Sequence, residues 1–222
     1  MIAEKIKLHP ETPHRKRIFE LADRLSNGEV ILFPTDTRYA LGCEYTNKRG
    51  LERIRQIRHL NDDHLFTLIC DSLSGISRFA HLSDDNFKLI KRLIPGPFTF
   101  VLPATKEVPK LLLHPRRKTI GFRVPDYPIC QQIIAELGKP ILATTAKLPE
   151  LTDEDFSEMD REALFHNFEK QVDAIIDNDQ ELDDSFSTIL DLTADEPQIL
   201  RKGMGMDRLE ETLGKINVEI QE

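Results

Sequence analysis

The sequence predicts a mixed α/β fold, a β-sheet with helices packed against it. Short apolar runs of strand character alternate with segments of helical periodicity over the first two thirds of the chain. Further strand-like runs then cluster near its end. Hydrophobic residues make up 40% of the 222 residues, enough for one sizeable core, and charged residues make up 31%, which excludes a disordered chain.

The first predicted element is a helix from Pro13 to Leu25, because Ile18, Leu21, Ala22 and Leu25 recur at helical spacing. Ser26-Asn27-Gly28 supplies the turn chemistry that stops it. Val30 to Phe33 is a continuous apolar run, as expected of a strand buried on both faces, and Pro34 ends it. Tyr39 to Cys43 reads as a second short strand. Lys48 to Arg58 reads as a basic amphipathic helix with Leu51, Ile54 and Ile57 on its apolar side. Phe66 to Cys70 is another buried strand. Ser83-Asp84-Asp85 caps a helix that runs to Leu93, and Pro95-Gly96-Pro97 breaks the chain after it.

Strands follow at Phe98 to Leu102 and Thr119 to Val124, then a helix from Pro128 to Leu137 with Gly138 at its C-terminal stop. Ile141 to Thr144 is a strand, and Phe156 to Phe168 a helix in an acidic stretch. Ala174 to Ile176, Ser187 to Leu192 and Gln198 to Arg201 complete the strands, and a short helix runs from Met206 to Leu213. The polar segment Pro149 to Asp155 is the sole linker candidate and is too short to separate a second domain. Residues 1–222 therefore read as a single domain with a short tail over 204–222.

The net charge of -8 argues against a protein that coats nucleic acid by bulk charge. The charge is unevenly spread. Residues 86–123 carry nine Lys/Arg against one acid, and residues 150–184 carry 14 Asp/Glu against two basic residues. Such a basic middle either offers one positive face to an anion or is an ordinary solvated face. The three cysteines, Cys43, Cys70 and Cys130, have no CxxC spacing, and two lie in apolar runs. That pattern points to buried thiols in a reducing compartment. The seven His show no metal-ligand spacing, so no protein metal site is expected. Neither a signal peptide nor an apolar run of membrane-spanning length is legible, so the expected location is cytoplasmic, with no membrane partner.

Four segments place hydroxyl, Gly or Arg groups at strand edges, where open α/β sheets bind ligands. They are Phe33 to Gly42, Pro95 to Phe100, Gly121 to Pro125 and Ser187 to Leu192. Hydroxyls and strand-end amides bind phosphate or carboxylate, and an Arg clamps either through two hydrogen bonds. Taken singly, each segment is equally an ordinary turn, surface ion pair or strand start. No GxxxxGK[ST] or GxGxxG loop is present, and no catalytic residue is assignable.

In combination, over about residues 10–203, the segments resemble the YrdC/YciO family, which includes the threonylcarbamoyl-adenylate synthases of tRNA modification. The matching motifs are Pro34-Thr35-Asp36-Thr37-Arg38-Tyr39-Ala40-Leu41-Gly42, Pro95-Gly96-Pro97-Phe98-Thr99, Arg123-Val124-Pro125, Thr144-Thr145-Ala146-Lys147, Ser187 to Asp191 and Arg201-Lys202-Gly203. The first of these looks closest to the YciO branch.

The resemblance implies a twisted mixed β-sheet with flanking helices around a positively charged concave cavity. It implies a nucleotide-binding protein whose synthase relatives convert ATP, L-threonine and bicarbonate to threonylcarbamoyl-AMP, with Mg²⁺ accompanying the ATP. Two other uses of the fold are double-stranded RNA or tRNA binding without synthesis, and hydrolysis of the adenylate intermediate. The implied nucleotide- and substrate-binding residues are Thr35, Thr37, Arg58, Thr119, Arg123, Thr145, Lys147, Ser187 and Arg201. Two positions depart from the synthase pattern. The synthase Lys-x-Arg reads here as Arg58-His59-Leu60, and the Asn of Ser-Ala-Asn is Lys147. Leu60 cannot bind phosphate, whereas Lys147 adds a charge without the Arg fork.

Overall fold

The computed structural model describes residues 2–61, 63–152, 156, 158–181, 185–194 and 196–216. The chain packs as two compact units, each drawn from two stretches of sequence. Unit 1 comprises residues 1–61 and 127–184, and unit 2 comprises residues 62–126 and 185–222.

In unit 1 the strands are β1 (Glu4–Lys7), β2 (Ile31–Phe33) and β3 (Ala40–Glu44), with β7 (Ile141–Thr145) and β8 (Ala174–Asp177). They hydrogen-bond in the order β1-β8-β2-β3-β7. β1 and β2 both run parallel to β8, while β3 runs antiparallel to β2 and to β7. This polarity brings the carboxyl ends of β1, β8, β2 and β7 to one edge of the sheet, together with the start of β3. β2 is buried at every residue, as a continuous apolar run requires.

Four helices among the described residues pack in this unit. α1 (Arg15–Ser26) buries Ile18, Leu21, Ala22 and Leu25. α2 (Lys48–Arg58) buries Leu51 and Ile54. Its Asn47 cap accepts a hydrogen bond from Gly50 N at 2.9 Å and donates one to Gly28 O at 2.8 Å. α5 (Pro128–Leu137) begins with proline in its first turn and ends on Gly138 at φ 66°, where a side chain would be strained. α6 spans Arg161–Phe168.

In unit 2, β4 (Thr67–Ile69), β5 (Phe98–Pro103), β6 (Thr119–Arg123), β9 (Thr188–Asp191) and β10 (Gln198–Arg201) are ordered β4-β6-β5-β9-β10. β4 is parallel to β6 and β5 to β9, and the pairs β5/β6 and β9/β10 are antiparallel. The helices are α3 (Leu73–Phe79), α4 (Asp84–Leu93) and α7 (Met206–Ile216). Ser83 caps α4, accepting from Asn86 N at 3.2 Å. Each unit is thus a mixed sheet with helices, and the α/β class predicted from the sequence is the class observed.

Three element predictions differ from the structure. β1 was not predicted, because Glu4-Lys5-Ile6-Lys7 has a single apolar residue; it is an edge strand that buries only Ile6. α3 was not predicted, because Ser and Gly interrupt its periodicity. Burial of Ile76 and Phe79 and the Ser72 cap specify it instead. The predicted helix Phe156 to Phe168 is not continuous. Met159 and Asp160 are non-helical, and the Asp160 carboxylate caps a fresh start by accepting from Ala163 N at 2.7 Å. Part of the linker candidate, residues 153–155, and the end of the tail, residues 217–222, lie outside the described residues. Among the described residues no helix is long and apolar enough to cross a membrane.

Candidate ligand site

Unit 1 holds a cleft of about 480 Å³ at the edge where its parallel strands end. Its walls are the β2–β3 loop (Pro34, Thr35, Asp36, Thr37), Tyr39, Tyr127 before α5, and Asn178, Gln180 and Glu181 after β8. The loop is held from inside. Thr35 Oγ1 donates to Arg38 O at 2.7 Å and accepts from Thr37 N at 3.1 Å. A hydroxyl has one proton, so in the 3.1 Å contact between Thr35 and Thr37 the Thr37 hydroxyl is the donor. The Cys130 thiol, in the first turn of α5, donates to Pro34 O at 3.1 Å. The buried Arg38 guanidinium donates to Phe156 O at 3.1 Å, with its carbon 4.5 Å from the Phe156 ring centroid.

The opposite wall is an amide–phenol network. The Tyr39 hydroxyl lies 2.8 Å from Asn178 Oδ1 and 3.0 Å from Ile176 O. Asn178 Nδ2 donates to the Tyr127 hydroxyl at 2.7 Å and to Gln180 Oε1 at 3.3 Å. Burial raises the pKa of Tyr39 and of Tyr127 above the ordinary phenol value, so both are neutral hydroxyls at neutral pH. Among the described residues the charged ones lining this cleft are Asp36 and Glu181, and none is Lys or Arg. Its walls therefore offer oriented hydroxyls, amides and two carboxylates, a set suited to the hydroxyl and amine groups of a polar ligand.

Of the residues predicted from the sequence, Thr35 and Thr37 line the cleft. Thr145 and Lys147 reach the same strand edge at the end of β7. Thr145 is in register with Ala40, and Ala146 N donates to Tyr39 O at 3.0 Å. Arg58 is the last residue of α2, before a left-handed turn at His59 (φ 48°). It is half-buried, its Nε has no hydrogen-bond partner, and among the described residues no carboxylate pairs with it. Burial pulls its pKa below the ordinary guanidinium value. A cation left this way is a natural anion acceptor.

In unit 2, Arg123 ends β6, and Thr99 and Ser187 stand at the starts of β5 and β9. Arg201 ends β10, so the strand polarity puts all four at one sheet edge. Arg201 binds Ser187 twice, Nη2 to Oγ and Nε to the carbonyl, each at 3.0 Å. Thr99 Oγ1 lies 3.1 Å from Ser187 Oγ. Gly203 is required here, because a Cβ would come within 2.7 Å of the Ser187 carbonyl. Thr119 is not brought to this edge. It starts β6 opposite Pro103, at the other end of the strand from Arg123, and its buried hydroxyl has no hydrogen-bond partner among the described residues.

Tyr39, Tyr127, Asn178 and Gln180 were not among the predicted site residues. Tyr39 stood inside a quoted motif, and Asn178 lies two residues beyond the predicted strand Ala174 to Ile176, which is the signal that would have found it.

The Sua5/YciO/YrdC family model, described as "Telomere recombination", matches residues 23–203. This chain belongs to the Sua5/YciO/YrdC family. The Escherichia coli K12 "Uncharacterized protein YciO" is 43% identical over 198 residues, covering 89% of this chain and 94% of that protein. The crystal structure of E. coli YciO superposes with a TM-score of 0.85 at 41% identity, covering 92% of this chain and 97% of that one. A "Threonylcarbamoyl-AMP synthase" of Pseudoalteromonas translucida is 34% identical over 127 residues, 56% of this chain and 67% of that protein. The family model spans sequence from both units, and its range contains all the residues inferred above from the YrdC/YciO resemblance.

Proposed function

We propose that this chain binds an adenylate-type nucleotide and L-threonine, and forms threonylcarbamoyl-AMP from ATP, L-threonine and bicarbonate. One observation carries the reading: in a chain that over 127 of its residues is 34% identical to a threonylcarbamoyl-AMP synthase, the family's Pro-Thr-Asp-Thr loop and Asn178 wall a cleft at the carboxyl ends of parallel strands. In the proposed reaction the threonine amine nitrogen bonds to the bicarbonate carbon, and one bicarbonate oxygen leaves as water to give a carbamate. A carbamate oxygen attacks the α-phosphorus, and the β-phosphate side leaves as pyrophosphate.

In this reading Thr35, Thr37 and Asn178 orient the ligand, since holding the reactants together supplies much of the rate. Arg58, at the end of α2 and outside the cleft lining, would supply fixed positive charge for a phosphate that extends beyond the cleft. Mg²⁺ would arrive on the triphosphate and neutralise part of its charge. Among the described residues no cluster of three His, Cys, Asp or Glu could hold a resident metal, and Asp36 and Glu181 are the carboxylates among those that line the cleft.

The test is incubation of the purified chain with ATP, Mg²⁺, bicarbonate and L-threonine, with pyrophosphate and adenylate product followed by mass-resolved chromatography. Product that requires both threonine and bicarbonate is expected. Measurable ATP binding without product would refute synthesis. Consumption of added threonylcarbamoyl-AMP instead would identify a hydrolase. If synthesis is weak because Leu60 and Lys147 stand where synthases carry Arg and Asn, the double change Leu60→Arg with Lys147→Asn raises it.

A further inference from the structure

We infer that the corner of the unit 1 cleft formed by Gln180 and Glu181 holds the uncharged nucleoside end of the nucleotide, through an acceptor and a donor presented side by side. Both the ribose diol and the adenine amine with its neighbouring ring nitrogen have that chemistry. The inference rests on the adenylate reading above and says which part of the ligand meets this corner. Gln180 and Glu181 follow β8, line the cleft and are exposed.

One backbone group sets the direction of the hydrogen bonds in this wall. Gln180 N–H can only donate, and it meets Asn178 Oδ1 at 3.4 Å. The other side of the Asn178 amide is therefore Nδ2, whose two N–H groups go to the Tyr127 hydroxyl at 2.7 Å and to Gln180 Oε1 at 3.3 Å. Gln180 Oε1 is thus turned toward Asn178. Its Nε2 is left with two N–H groups and no hydrogen-bond partner among the described residues. Asn178 has no free N–H group, so it acts on a ligand through Gln180, as a positioning residue. Glu181 has no cation partner among the described residues.

The turn that carries this pair is clamped. Asp179 takes a left-handed φ of 56°, a conformation that costs a non-glycine residue free energy. Asp177 Oδ1 accepts from Asp179 N at 2.9 Å, and Arg161 Nη1 donates to Asp177 Oδ1 at 3.0 Å and to Asp179 Oδ1 at 3.2 Å. Arg161 thereby holds the turn in the conformation that brings Gln180 to the cleft. An amide donor beside a carboxylate acceptor matches a ligand part that presents acceptor and donor together. A phosphate would meet Asp36 and Glu181, with no Lys or Arg among the described lining residues to offset them. Threonine would bring its amine to Glu181 but its own carboxylate against both acids.

The test is isothermal titration of the full chain with adenosine, which carries no phosphate, and with 2′-deoxyadenosine, 3′-deoxyadenosine and purine riboside, which lacks the amine. At least one analogue is expected to bind about fivefold or more weakly than adenosine, and which one it is separates the ribose from the base. Gln180→Leu with Glu181→Ala is expected to weaken adenosine binding by a similar factor and to bring that analogue within about twofold of adenosine. Inorganic pyrophosphate and L-threonine should bind this double variant no more weakly than the unmodified chain. Arg161→Met is expected to reduce the discrimination, and Asp179→Gly added to it to restore about half, since glycine adopts φ 56° freely. A role of Arg161 in stability alone would move the thermal midpoint and leave the discrimination untouched. Discrimination among nucleosides without threonylcarbamoyl-AMP synthesis supports the inference and refutes synthesis, whereas synthesis with discrimination unchanged in the double variant does the reverse. The inference is also overturned by no adenosine binding, by equal binding of all four nucleosides, or by loss of L-threonine instead of adenosine binding in the double variant.

Discussion

Tyr39→Phe removes one oxygen from the wall of the cleft and nothing else. Tyr39 is buried, and its ring meets Phe165 edge-on at 5.6 Å, a contact that phenylalanine keeps. The lost hydroxyl leaves Asn178 Oδ1 with only the long 3.4 Å bond from Gln180 N, and leaves Ile176 O without its 3.0 Å neighbour. Stranding a buried acceptor costs about 1–3 kcal/mol. For a chain of this size, a cost of about 2 kcal/mol lowers the thermal midpoint by roughly 4–8 °C. No cavity penalty is added, because the ring is retained. Burial raises the phenol pKa, so the hydroxyl stays protonated and the loss is flat between pH 6 and 9.

Scanning calorimetry of the variant measures the cost, and a double-mutant cycle with Asn178→Ala measures the coupling. A coupling above about 0.5 kcal/mol is expected for groups in one network. ATP and threonine affinities should fall together, because Asn178 loses the bond that orients it. A midpoint within 1 °C of the unmodified chain, with an additive cycle, would refute the view that this network shapes the cleft.

Arg58→Met should raise the ligand-free thermal midpoint while weakening ATP binding at least tenfold, because it removes a half-buried charge that lacks a carboxylate partner among the described residues. A lowered midpoint with unchanged affinity, by calorimetry and titration, would sink the assignment. Cys43 gives a pH signature: burial pushes its thiol from the ordinary 9.0 up to about 12. Its unfolded thiol ionises first, so the stability it contributes is complete below pH 9 and is lost as pH rises toward 12. The thermal midpoint should fall across that window, and Cys43→Ala should lessen the fall. All three cysteines are free and buried, so a thiol reagent at pH 8 should find none in the folded chain and three after denaturation.

The regular elements were legible where local chemistry and periodicity agreed. α4 has Ser83 to cap it and Leu89, Ile90 and Leu93 to bury, and both signals are local. β2 is apolar at each residue because both faces are covered. β1 was illegible because its stability comes from a partner distant in sequence, Ala174 to Asp177, and α3 because Ser and Gly interrupt its apolar periodicity. The division into two units was also hidden, since each is assembled from segments more than fifty residues apart.

Sequence by itself determined the α/β class, most of the elements, the buried thiols and the family, because each rests on residue order or residue type. Tertiary structure alone decided which strand ends share an edge. Strand polarity in unit 1 put Thr35 and Thr37 around one cleft with Asn178, which lies more than 140 residues further along the chain. In unit 2 it set Arg123 at one end of β6 and Thr119 at the other. A motif names the groups available for binding. Pairing partner and direction, which are non-local choices, settle which of those groups meet.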